Sequence, residues 1–170
     1  MENVMTVNGL NIQPGERLQL MGRILPDAEQ FVVDLGKDSN NLVLHFNPRF
    51  FSRGDSVETI ICNSKQDGVW GEKEEVHISF PMLEKIKIIF TFRASELQVE
   101  VDVFKKVQLE GDCLKILEPP EVPREHFPDL QDTGLIFPNR TGLKAIQFVS
   151  VHGDFKIEGF KLLCPSDLAM

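Results

Sequence analysis

The chain has 170 residues, 42% hydrophobic and 26% charged, which is the balance expected of a globular domain able to bury a core without metal or disulfide. Its formal net charge of −8 and pI near 5.0 argue against a nucleic-acid surface, which needs a basic patch to displace counterions, and against an anionic membrane surface. One domain spanning 1–170 is the expectation.

Read from the start, "MENVMTVNGLNIQPGERLQL" has no basic start followed by a long apolar run, so no secretory signal is expected and synthesis in the cytosol follows. Short alternating runs then dominate: "RLQLMGRI", "QFVVDLG" and "NLVLHFN", punctuated by turn signals such as "PGE" and "PDAE". In "LVLHFNPRF" the period of two places Leu42, Leu44 and Phe46 on a core face and His45, Asn47 and Arg49 on the other, a row of hydrogen-bonding groups. Pro48 between them suits an edge or a locally irregular position, so the polar row should be reachable by a ligand.

After the "RGDS" turn, "VETIICN" predicts a strand that ends on Asn63, with Ile61 and Asn63 on the face opposite Ile60 and Cys62. The only tryptophan, Trp70, follows in "DGVWGE", where glycines and polar residues leave it few apolar neighbours and an exposed indole is expected. "KIKIIFTF" and "ELQVEV" are further strands, and the apolar part of the first is far too short to cross a bilayer. From about 103 to 134 the chain carries four of its ten prolines. The first half of that segment predicts a strand and the second an irregular loop. "KAIQFVSV" and "DFKIEGFKLL" close the series. No convincing helical period exceeds two turns, which predicts an all-β sandwich or barrel.

Signatures for nucleotide binding, nucleophile elbows, zinc proteases and paired-cysteine sites are absent, and the four histidines do not share metal-ligand spacing. Neither a cofactor, a metal nor catalysis is expected. The three cysteines, Cys62, Cys113 and Cys164, are an odd count without a pairing pattern and read as reduced thiols.

"HFNPRF", "ICNS", "WGE", "FPNR" and "GDFKI", in this order, resemble the galectins, the β-galactoside-binding lectins. The resemblance covers 1 to about 102 and about 135 to 163, leaving roughly thirty inserted residues at 103–134. It implies a jelly-roll sandwich of two antiparallel sheets with sugar on one sheet. His45, Asn47 and Arg49 would converge on the axial 4-hydroxyl of galactose, Trp70 would stack on the C–H face of the ring, and Asn63 would meet the 6-hydroxyl. Arg53, where many family members have histidine, would tune contacts beyond galactose.

The resemblance also implies a homodimer that cross-links glycans of glycoproteins or glycolipids and export by a route independent of a signal peptide; charge and the short apolar runs lead to the expectation of no nucleic-acid or inserted-membrane partner. The sequence departs from the family at "WGEKEEVH", where W-G-x-E-x-R is usual. A one-residue bulge could bring Glu74 into the carboxylate role, with Glu72 as the other candidate, but no arginine follows to hold it. "FPNRT", around Arg140, reads as a structural turn. Weakened galactoside binding keeps open an interaction scaffold as the alternative to a working lectin.

Overall fold

The computed structural model describes residues 1–50, 59–77, 85–103, 106–110, 113–117 and 135–164. Among them the regular elements are all strands: β1 (Asn3–Val7), β2 (Arg17–Ile24), β3 (Phe31–Asp38), β4 (Asn41–Arg49), β5 (Thr59–Gln66), β6 (Val69–Trp70), β7 (Glu74–His77), β8 (Ile86–Phe92), β9 (Glu96–Val103), β10 (Lys106–Glu110), β11 (Cys113–Leu117), β12 (Leu135–Pro138), β13 (Phe148–Gly153) and β14 (Phe155–Leu163). The all-β expectation holds.

Two antiparallel sheets face each other. One has seven strands in the order β1-β13-β3-β4-β5-β6, with β7 also on β5; the other runs β12-β9-β8-β2-β14. The facing sides come from the alternation read in the sequence: Phe31, Val33, Leu35, Phe46 and Ile60 from the first sheet meet Leu18, Leu20, Ile88, Phe90 and Phe155 from the second in one core. Phe46 meets Phe90 edge to face at 5.5 Å, and Phe31 stacks on Phe155 at 4.8 Å, each pair joining the two sheets. Burying a side chain of this size contributes roughly 1.5–3 kcal/mol, so these rings carry much of the sandwich.

Strict alternation in β4 fails at one point. The β4–β5 register shifts between Leu42 and His45, and Val43 joins the main core while Leu42 is buried outside it. A bulge of this kind reverses which face a residue takes, so Leu42 does not share the core face with Leu44 and Phe46. From Leu44 onward the period of two resumes, and His45, Asn47 and Arg49 fall on the outer side. Pro48 is not on an edge strand, since β4 lies between β3 and β5. It sits beyond Val33↔Phe46, the last pair of the β3–β4 ladder, where the missing N–H leaves that ladder intact.

β10 and β11 pair with each other, so the first half of the 103–134 segment contains two strands where one was expected. The expected loop of the second half lies outside the described residues.

Candidate functional site

The outer side of the seven-stranded sheet is crossed by a polar row. In register, Thr6 faces Ser150, Ser150 faces Asp34, Asp34 faces His45 and His45 faces Asn63, across β1, β13, β3, β4 and β5. His45 Nδ1 lies 2.6 Å from Asp34 Oδ1, and both side chains are mostly covered. Asn47, one pleat along β4, is 2% exposed, and both of its side-chain polar atoms have partners. Its Nδ2 donates to the Phe31 carbonyl at 2.8 Å and to Gln30 Oε1 at 3.3 Å, and its Oδ1 accepts from Arg49 Nε at 3.0 Å. The expectation of a freely reachable row is therefore corrected at Asn47. Packed against the start of β3, it acts as a bracket that orients Arg49, which is the exposed member of the three.

Asn63 leaves β5 on the same outer side and is half-buried, with Oδ1 accepting from the Ser64 amide at 2.8 Å. The hairpin that follows is built by its turn residues. Asp67 and Gly68 both have positive φ, +50° and +80°, the conformation of a two-residue turn whose twist matches antiparallel strands. That turn returns the chain as β6 and sets Trp70 opposite Lys65. The indole is 47% exposed, as its surroundings in the sequence predict. Its ring centroid lies 4.7 Å from that of His45 in an edge contact, and Lys65 Nζ stands 4.8 Å over it. A flat apolar plane thus borders the hydrogen-bonding row.

The carboxylate after Trp70 takes a position that the sequence left open. Lys65 faces Trp70 while Cys62 faces Glu74, so three steps along β5 match four along the partner chain, and the expected one-residue bulge is present between β6 and β7. Opposed residues of an antiparallel pair point to the same side. Glu74 therefore leaves β7 on the side of buried Cys62, whereas Glu75, opposite Ile61, leaves on the side of the polar row. The bulge does not turn Glu74 onto the row. Arg140, from the turn after β12, holds it at the sheet margin with Nη2 3.1 Å from Glu74 Oε1. The same guanidinium donates through Nη1 to the Glu72 carbonyl and lies 4.7 Å from the Phe137 ring. An arginine for the carboxylate thus exists, 66 residues away in sequence. Burial, aided by the charge of Glu74, pushes the Cys62 thiol up to about 12. Arg53 lies outside the described residues.

Sequence reading missed Asp34 and Arg140. Asp34 carried a signal, an acidic residue inside the apolar run "FVVDLG" on the same parity as the outer side. Arg140 carried none, because its partner is set by the meeting of two distant segments.

The described features agree with comparisons to known proteins. Residues 4–107 match the family model for the galactoside-binding lectin domain. The 16 kDa beta-galactoside-binding lectin of Gallus gallus is 40% identical over 162 residues, covering 95% of this chain and 98% of that protein. Among solved structures, CG-16, a homodimeric agglutinin from chicken liver, superposes with a TM-score of 0.70 at 37% identity, covering 93% of this chain and 98% of that one. A toad ovary galectin in complex with thio-digalactose gives 0.67 at 25% identity, covering 93% and 96%. By sequence over most of its length and by fold, the chain belongs to the galactoside-binding lectin family.

Proposed function

We propose that the protein binds β-galactosides such as lactose and N-acetyllactosamine on the outer side of the seven-stranded sheet, without catalysis. The observation that carries this reading is the polar row His45–Asn47–Arg49 bordered by the exposed Trp70 plane. A ring that turns C–H groups to one side and hydroxyls to the other matches an aromatic plane beside polar side chains. Discrimination follows from hydrogen bonding, since a misplaced hydroxyl leaves partly buried donors and acceptors unmatched at roughly 1–3 kcal/mol each. Passage over immobilised lactose tests this: retention with release by free lactose but not by sucrose is expected. Flow-through of the folded protein would overturn the reading in favour of an interaction scaffold.

The same proposal includes a homodimer that cross-links glycans. β1 ends one sheet and β14 ends the other, and Val4 on the first strand and Leu162 on the second are exposed. Open strand edges with apolar side chains favour a two-fold contact, and two sites on one particle gain avidity for paired glycans. The chicken agglutinin is homodimeric, which supports this assignment. Sedimentation at micromolar concentration should give twice 19.3 kDa, and a 19.3 kDa species alone would defeat it. Glycans on glycoproteins or glycolipids require release from the cytosol, and recovery of the chain from medium while the secretory pathway is blocked is the expected result.

A further inference from the structure

His45 is the member of the polar row whose hydrogen-bonding character is not fixed by its own chemistry. A neutral imidazole carries one N–H and one bare nitrogen, and the partner of one nitrogen decides what the other offers. Here the partner is Asp34, directly opposite in the β3–β4 register, with Oδ1 2.6 Å from Nδ1 and the two side chains 16% and 19% exposed. An ionised carboxylate only accepts hydrogen bonds, so Nδ1 must bring the hydrogen. Nε2 is then the bare nitrogen. On the other flank of Asp34, the Ser150 hydroxyl is turned to His152 Nε2, which leaves His45 as the ring that Asp34 orients.

The consequence shows in the groups alongside. Asn47 spends Nδ2 on Phe31 and Gln30, and its Oδ1 takes the Arg49 Nε–H. What Arg49 still offers is N–H donors only. A hydroxyl has one hydrogen and two lone pairs; beside donors alone its hydrogen would be stranded, while beside Arg49 and a bare Nε2 both ends are matched.

We propose that Asp34 is a positioning residue that holds His45 as the Nδ1–H tautomer and so makes Nε2 the acceptor for a ligand hydroxyl. The nature of that ligand rests on the galactoside reading; the tautomer does not. Long-range 1H–15N correlation spectra of the free protein at mildly alkaline pH, with the His45 signals identified by their loss in His45→Asn, should show the Nδ1–H pattern. Asp34→Ala should move His45 toward the Nε2–H form and lower lactose affinity about tenfold, the effect of one hydrogen bond. Asp34→Asn, whose carboxamide oxygen can accept the same proton, should keep the Nδ1–H form and more of the affinity than Asp34→Ala. An Nε2–H form in the unaltered protein overturns the proposal, as does an unchanged tautomer in Asp34→Ala or a carboxamide variant no better than alanine. The unaltered spectrum alone decides if Asp34→Ala fails to fold. Absence of lactose binding in the unaltered chain would sink the galactoside reading and leave the tautomer measurement standing.

Discussion

Trp70 contributes little to the core and much to the site. With about half of the indole in solvent and its backbone fixed by the Asp67–Gly68 turn, replacement by alanine removes a stacking plane and little packing. Trp70→Ala should cost about 2 kcal/mol or more of lactose binding in calorimetry, the magnitude of an aromatic hot spot, and move the thermal midpoint only slightly. The two carboxylates of β7 should behave differently. Glu75 leaves the strand on the side of the row and Glu74 on the side of Cys62, so Glu75→Gln should weaken lactose binding more than Glu74→Gln. Equal losses in titration calorimetry would show that strand parity does not decide which carboxylate the sugar meets. The Arg140–Glu74 pair is partly exposed, 28% and 43% at the side chains, so Arg140→Ala should lower stability by only about 0.2–1 kcal/mol through that pair. In a double-mutant cycle with Glu74→Gln, unfolding free energies from urea titration should be non-additive by the same amount.

At the scale of the strand, one tight constraint is the approach of β14 to β2. Gly22 faces Ile157, where the β14 register shifts by one residue, and a Cβ on Gly22 would come within 2.1 Å of the Lys156 carbonyl oxygen and 2.7 Å of the Phe155 ring. The first obstacle is backbone, so the strand itself must move. Gly22→Ala should destabilise by about 1–3 kcal/mol or more, read as a lowered urea midpoint at unchanged slope. Strands with one buried and one solvated face were legible in the sequence, because β2, β8 and β9 carry the alternation that burial demands. β1, β6 and β7 were not. β1 and β6 are mostly exposed and β7 has only four residues, too few to display a period, so pairing at the sheet margins holds them. The row itself was legible because His45, Asn47 and Arg49 sit on one strand. The occupation of Asn47 by Phe31 and Gln30, the Asp34 partner and the Arg140 clamp depend on contacts between segments, for which one strand's period holds no information.

For the whole molecule, one buried thiol ties stability to alkaline pH. The Cys62 thiol ionises near 9 when unfolded and about 12 when folded, so below 9 both states keep the proton and stability is unaffected. Between 9 and 12 the folded state binds more protons, and stability falls as pH rises, by up to about 1.4 kcal/mol per unit. The chain has no tyrosine, so phenol titration does not overlap. Urea midpoints measured across that range should decline more steeply for the unaltered protein than for Cys62→Ala, and iodoacetamide should spare Cys62 until denaturant is added. The order of strands reaches further still. β13 is seated between β1 and β3, and β14 beside β2, so the first strands of the chain take partners from its last residues. On the ribosome, β3 and β4 can pair early, but β1 and the outer flank of β2 must wait until residues near 150 to 163 have left the exit tunnel. Nascent chains halted before that point would expose the edges of β3 and β2, a stage at which holding chaperones should bind, and adding the last fifteen strand residues should release them.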